Sequence, residues 1–301
     1  MGAAIGDALG MPLEFKPPRP LNALCREMER GRISAGTFTD DTEMALALAE
    51  SLLAHSPLDA SDLVQRFVTW YQSYPPDVGS HTAGVLSLAS KGIQWQEAAI
   101  RVQQDHPDSA GNGSLMRTWP IAAARHQHLG LLIAESRLQS QVTHPHDDCV
   151  NACVFLNLVL ADLIHRDSVK PPNLVLRESL ASTLGKVAFS KEFKLMLELA
   201  PVRQREQLEN SGWVRHTLES ALWAALNSHT FEEALVNVVN LGNDADTSGA
   251  VTGALAGAMY GVDAIPARWK DALHGEYPLH SGRLWFSQDF IRLADDLANL
   301  S

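Results

Sequence analysis

Two rows of glycine constrain this chain more than any other feature: Gly2, Gly6 and Gly10 near its start, and Gly249, Gly253, Gly257 and Gly261 late in it. Residues four apart share one face of an α-helix, and an interior glycine costs a helix about 1 kcal/mol relative to alanine. Loops would explain such glycines one at a time. A row on one face, set in alanine-rich sequence, instead suits two helices that meet backbone to backbone, with no side chain between them. The expectation is that residues 2–10 pack on residues 249–261. That packing would carry Asp7 and Glu14 toward whatever precedes Gly249.

Helical spacing recurs through the rest of the chain, in Met44–Leu48–Leu52, Leu63–Phe67–Trp70, Val154–Leu158–Asp162, Leu218–Leu222–Leu226 and Ala234–Val238–Leu241. Alternating β-branched runs are absent, so the expected fold is all-α. It is read as a compact, single-domain, multi-helix orthogonal bundle over residues 1–301, without a composition break to divide it. Pro, Gly, Asn, Asp and Ser cluster at Lys16–Pro20, Ser73–Gly79, Asp105–Gly113, Thr143–Asp148 and Asp167–Asn173, where breaks between helices are expected.

With 24 Lys+Arg against 35 Asp+Glu, the formal net charge is −11, which argues against a nucleic-acid backbone as partner. The first residues lack a basic n-region, and the longest apolar stretch, Val150 to Ile164, is interrupted by Asn151, Asn157 and Asp162, so no signal or membrane segment is expected. Three cysteines without a CxxC pair favour neither a disulfide framework nor a zinc site. A reducing, cytoplasmic setting follows as the expectation.

Acidic residues concentrate at two places. In GNDADTSGA, Asp244, Asp246 and Thr247 supply the hard oxygen donors that Mg²⁺, Ca²⁺ and Mn²⁺ prefer. Helix capping needs only one Asp, and the second adds a repulsion that a cation would relieve. In TFTDDTE, Thr39, Asp40, Asp41 and Thr42 precede a helical pattern, and Glu43 three residues after Asp40 fits a capping box. Taken alone, that segment reads as a cap. Taken with 244–247, it offers oxygens enough for two divalent ions. Elsewhere, Gly111, Asn112 and Gly113 precede an expected helix and could present N–H groups to phosphate, with Arg117 as a nearby cation. Asp77 follows two prolines, and the spacing of His144 and His146 across Pro145 argues against a zinc clamp while leaving one histidine free to touch substrate.

The segments GAAIGDALGMPLEF, TDDTEMALALA, PPDVG, GNGSLMR, TH, SGWVRHTLESALW and NLGNDADTSGAVTGALAGAMYG, in this order between residues 2 and 261, resemble the ADP-ribosylglycohydrolase family, including its dinitrogenase-reductase-activating type. The resemblance implies an all-α fold with two Mg²⁺ or Mn²⁺ ions in a cleft and hydrolysis of the bond between ADP-ribose and an acceptor. Matched by position, it implies Thr39, Asp40, Asp41, Asp244, Asp246 and Thr247 as metal ligands, Glu14 at the metal centre or gating it, and Asp77 as the catalytic acid/base, so that Asp77 or Glu14 would manage the proton. It implies substrate contacts from Ser109, Ala110, Gly111, Asn112 and Gly113, from His144 at the distal ribose, and from Trp213 on adenine. Arginine of a modified protein is the acceptor that PPDVG and SGWV suggest. Serine-linked or small-molecule ADP-ribose, a two-metal phosphohydrolase, and an inactive ADP-ribose-binding protein are the rivals. The chain departs from the family pattern by opening inside the first motif, which leaves a short first helix, and by Asn243 in place of a glycine, which is tolerable in a left-handed backbone.

Overall fold

The structure, a computed structural model, describes residues 1–165 and 169–301. Fifteen α-helices follow one another among them: α1 (Gly2–Gly10), α2 (Asp40–Ala54), α3 (Ala60–Gln72), α4 (Ser80–Ala89), α5 (Trp95–Asp105), α6 (Trp119–Arg125), α7 (Leu129–Gln141), α8 (Asp147–Ile164), α9 (Pro172–Leu184), α10 (Lys191–Leu199), α11 (Val214–Leu226), α12 (Phe231–Val239), α13 (Ala245–Tyr260), α14 (Ala267–Ala272) and α15 (Ser287–Ala298). The breaks fall where turn residues cluster, except that 167 and 168 of the last one lie outside the described residues. Among the described residues one large hydrophobic core joins most of the helices, and a small separate cluster, Val85, Ala98 and Ala99, packs α4 on α5. At the centre of the large core α8 is buried on nearly every face, which explains why its sequence is apolar all round rather than striped. The periodic residues of α2, α3 and α11 are buried as their spacing requires, and Leu241, the end of the α12 pattern, is buried just beyond that helix.

One element departs from the all-α expectation. Two three-residue strands, β1 (His274–Glu276) and β2 (Leu284–Phe286), form an antiparallel pair. Three residues are too few for a period-two pattern to stand out; Trp285 donates from Nε1 to the Tyr277 carbonyl at 2.8 Å, and β1 is also tied to a distant segment, His274 N–H to the Gly36 carbonyl at 2.9 Å and Phe38 N–H to the His274 carbonyl at 3.1 Å.

The glycine rows meet as their spacing requires. A Cβ on Gly6 would lie 1.9 Å from the carbonyl oxygen of Gly249, and one on Gly253 would lie 2.1 Å from that of Gly2. A Cβ on Gly10 would lie 2.2 Å from the Ala245 carbonyl oxygen, so α1 and α13 touch along their backbones. Gly261 is different. It has φ 81° with no atom near its would-be Cβ, so it ends α13 rather than packing it.

Candidate metal and ADP-ribose site

The α1–α13 contact aligns the two helices so that the last turn of α1 lies against the first turn of α13. Asp7, on α1, is fully buried and aims its carboxylate at the start of α2. It accepts from the backbone N–H groups of Thr39 at 2.9 Å and Thr42 at 3.2 Å, and from their hydroxyls at 2.8 and 2.6 Å. Asp7 thus does from another helix what an N-cap residue does locally. Thr39 makes no capping bond of its own. Glu43 does not close a box either, because its carboxylate accepts the indole N–H of Trp70 at 2.6 Å. With the cap supplied from α1, Asp40 and Asp41 are left to face a cleft.

That cleft has a volume of about 710 Å³, within the usual range for small-molecule sites. Glu14, Asp40, Asp41, Asp77, Asp244, Asp246 and Thr247 line it together with Ser109, Ala110, Gly111, Asn112, Gly113, His144 and Trp213. Thr39 lies behind it, with its hydroxyl proton given to Asp7. At the start of α13, Asp244 makes no capping bond and accepts instead from Asn112 Nδ2 at 2.8 Å, joining the glycine loop to the carboxylates. The Thr247 hydroxyl lies 3.4 Å from Asp41 Oδ2. Asn243 has φ 52°, the left-handed backbone expected of it. Its carbonyl accepts the N–H of Phe15 at 2.7 Å and its own N–H bonds Lys16 at 2.8 Å, which pins the Glu14 segment to α13.

Carboxylates crowd this region, and burial dominates the titration of Asp7, Glu14, Asp40, Asp41, Asp244 and Asp246. It pushes Asp40, Asp41 and Asp246 well above the usual carboxylate range, each raised further by its acidic neighbours. Burial also lifts Asp244, against the hydrogen bond from Asn112. Glu14 is pushed up to about 7, with the Arg32 guanidinium opposing the shift, and Asp7 to about 6 despite its four donors. Asp41 Oδ1 is buried without a hydrogen-bond partner. Hard oxygen donors, mutual repulsion and an orphaned carboxylate oxygen together fit a divalent cation. One set, Glu14, Asp77 and Asp246, brings its ligand atoms within 4.8 Å of one another. In the same place the Arg32 guanidinium pairs with Glu14 at 2.5 Å, with Asp77, and with Asp246 at 3.4 Å.

A raised carboxyl pKa has a definite consequence for stability. Its contribution is complete below the unfolded value and is lost as pH rises through the folded value. With Asp7 at about 6 and Glu14 and Glu43 at about 7, the melting temperature of chelator-treated protein should fall between about pH 4 and about pH 8. A melting temperature that stays level or climbs over that interval would contradict the charge strain inferred here.

Two sequence expectations need correction. No helix follows Gly113 directly, since turns continue until α6 begins at Trp119, so the loop has no helix N-terminus behind it. Arg117 is fully buried and does not line the cleft. Its guanidinium covers the Phe67 ring at 4.3 Å. Of the two histidines, His146 caps α8 by accepting from Asp148 N at 3.1 Å, whereas His144 reaches the cleft wall. Trp213, at the N-terminus of α11, is 38% exposed and so is not a core tryptophan. Arg32 and His81 belong to the site without having been singled out for it, and Asp7, expected to approach the segment before Gly249, takes the unforeseen task of capping α2. The signal for Asp7 was a carboxylate inside a Gly/Ala face that had to be buried; Arg32 sits in irregular chain and carried none.

A sequence model of the family described as ADP-ribosylglycohydrolase matches residues 1–301. The chain belongs to the ADP-ribosylglycohydrolase family. Among its relatives, the ADP-ribosylarginine hydrolase Tri1 of Pseudomonas putida (strain GB-1) is 34% identical over 278 residues, covering 89% of this chain and 71% of the relative. The ADP-ribosyl-[dinitrogen reductase] glycohydrolase of Rhodospirillum rubrum is 34% identical over 281 residues, covering 91% and 88%. A solved structure titled "ADP-ribosylglycohydrolase-related protein complex" superposes with a TM-score of 0.80 at 33% identity, over 100% of this chain and 95% of that one. The chain is therefore a hydrolase of the ADP-ribosylglycohydrolase family, which is typically metal-dependent and acts on ADP-ribosylated targets. Among the described residues no helix is long and apolar enough to cross a membrane.

Proposed function

We propose that this ADP-ribosylglycohydrolase cleaves the N-glycosidic bond between ADP-ribose and an arginine side chain of a modified protein, using two Mg²⁺ or Mn²⁺ ions. The observation that carries the arginine reading is the seat of Arg32. Its guanidinium pairs with Glu14, Asp77 and Asp246 at the cleft, so these carboxylates already accommodate the group that an arginine acceptor would present. Two relatives named for arginine-linked substrates support the same reading.

Asp40, Asp41, Asp244, Asp246 and Thr247, which line the cleft, would hold the ions, with Thr39 offering the lone pairs left on a hydroxyl whose proton goes to Asp7. Bound there, the ions would supply Lewis-acid chemistry, polarising ribose hydroxyls and lowering the pKa of water. The loop Ser109–Gly113 binds the diphosphate and ribose through backbone N–H groups, His144 contacts the distal ribose, and Trp213 stacks on adenine. As C1″ develops oxocarbenium character, the departing guanidine nitrogen needs a proton. Glu14 and Asp77, which contact a guanidinium in this structure, are the carboxyls that deliver it and recover it from the attacking water.

Trp213→Ala should raise KM for the substrate about tenfold while kcat changes little, because stacking on adenine is made equally in the ground and transition states. Steady-state kinetics that show a lowered kcat with KM unchanged would contradict that role. The acceptor is tested by offering arginine-linked and serine-linked ADP-ribosyl peptides side by side with Mn²⁺. Arginine-linked substrate should be cleared about a hundredfold faster, since a site built for guanidinium is left with unpaired carboxylates by serine. Equal or reversed rates would end the arginine reading.

A further inference from the structure

Arg117 has no part in the chemistry above, yet it is fully buried and no carboxylate pairs with it among the described residues. Burial pulls its guanidinium pKa down to about 9, so it stays charged near neutral pH. Such a group is costly to place in a core, and its hydrogen bonds say what it holds. It donates to Gln139 Oε1 at 3.2 Å, to the Gln139 carbonyl at 2.9 Å and to the Thr143 hydroxyl at 2.7 Å.

A guanidinium only donates, so the Thr143 oxygen is the acceptor in that bond. The hydroxyl's own proton then has one remaining partner among the described residues, His144 Nδ1 at 2.8 Å. Nδ1 must therefore carry a lone pair, and the ring proton sits on Nε2. That nitrogen lies over the glycine loop: a Cβ on Gly113 would be 3.1 Å from it, and one on Gly111 would be 3.5 Å from it. His81 stacks on His144 with ring centroids 4.7 Å apart. Its Nε2 lies 3.0 Å from the Thr143 carbonyl, which only accepts, so His81 is the Nε2–H tautomer as well. Residue 143 thus orients both rings, one through its hydroxyl and one through its backbone.

We propose that Arg117 and Thr143 are positioning residues that lock His144 in the Nε2–H tautomer, so that it presents the cleft with a hydrogen-bond donor for an oxygen of the bound ADP-ribose. The inference rests on the reading that this cleft takes ADP-ribose. Burial, then the neighbouring His81 and the Arg117 cation, disfavour a second proton on the ring, which keeps Nδ1 free to accept. Removing the Thr143 hydroxyl leaves Nδ1 without its donor, and the tautomer preference is lost.

The test is the pattern of two-bond proton–nitrogen couplings in the imidazole rings, which distinguishes the tautomers. In the wild type both His144 and His81 should be neutral with the proton on Nε2. Thr143→Val, close to isosteric, should move His144 toward the Nδ1–H form while leaving His81 unchanged, because the residue 143 carbonyl remains. It should raise KM about tenfold with kcat nearly constant, and Thr143→Ser should restore both readouts. A wild-type His144 protonated on Nδ1, or a tautomer unmoved by Thr143→Val, would overturn the proposal. The spectrum needs no substrate, so failure of the hydrolase reading would appear in the kinetics alone. Arg117→Met, which frees the Thr143 oxygen to accept from the ring, should likewise let His144 take the Nδ1–H form, and an unmoved tautomer would remove Arg117 from the proposal; should it not fold, the Thr143 pair still decides whether residue 143 sets the tautomer.

Discussion

Gly6→Leu should lower the melting temperature by roughly 10 °C and disable the site without touching any candidate ligand. Even the first carbon of that side chain would fall 1.9 Å from the Gly249 carbonyl oxygen and 2.4 Å from its carbon. Those atoms belong to a helix backbone and cannot swing aside as a side chain would. Overpacking a core typically costs about 1–3 kcal/mol, and backbone collisions lie at the upper end. The effect would spread, because α1 carries Asp7, which sets the start of α2, while α13 carries Asp246. Gly257→Ala is the matched control. Its Cβ would meet the Gly2 Cα at 3.6 Å and the Gly2 nitrogen at 4.0 Å, both ordinary contacts, so that variant should melt at or slightly above the wild-type temperature. Thermal unfolding that finds Gly6→Leu as stable as the wild type would refute the close α1–α13 approach.

Asp246→Asn should weaken Mn²⁺ binding by at least about tenfold and lower hydrolysis by at least about a hundredfold, with the fold preserved. Asparagine keeps an oxygen to accept the Thr247 N–H, which Asp246 bonds at 3.0 Å, but removes a negative charge from the cage. That charge is strained by burial and by Asp41, Asp244 and Glu14 around it. The melting temperature of the chelator-treated variant should therefore equal or exceed that of the chelator-treated wild type. Calorimetry showing unchanged Mn²⁺ affinity would remove Asp246 from the ligand set.

Both predictions start from features that can be read in the sequence, and the reason is local. A glycine row on one helical face leaves few options but close contact, and Asp244–Asp246 advertises itself as a pair of charges with too little capping to do. What the sequence could not convey depends on distant partners. Asp40 reads as a capping residue until Asp7, 33 positions earlier in the chain, takes the capping task. Arg117 reads as a cation for phosphate because it follows the Gly111–Gly113 turn by four residues, yet its long side chain turns inward over Phe67. Arg32 reaches three carboxylates from a segment without regular structure, so no periodicity could have announced it. The β1–β2 pair is too short to leave a pattern.

The central claim is that a divalent cation in this carboxylate cleft enables hydrolysis of arginine-linked ADP-ribose. It is tested most directly by following release of free ADP-ribose from ADP-ribosylarginine with protein stripped by a chelator and then given Mn²⁺ or Mg²⁺. The stripped protein should release none, and activity should return on adding the ion. Full release by the stripped protein, or none after the ion is restored, would contradict that claim.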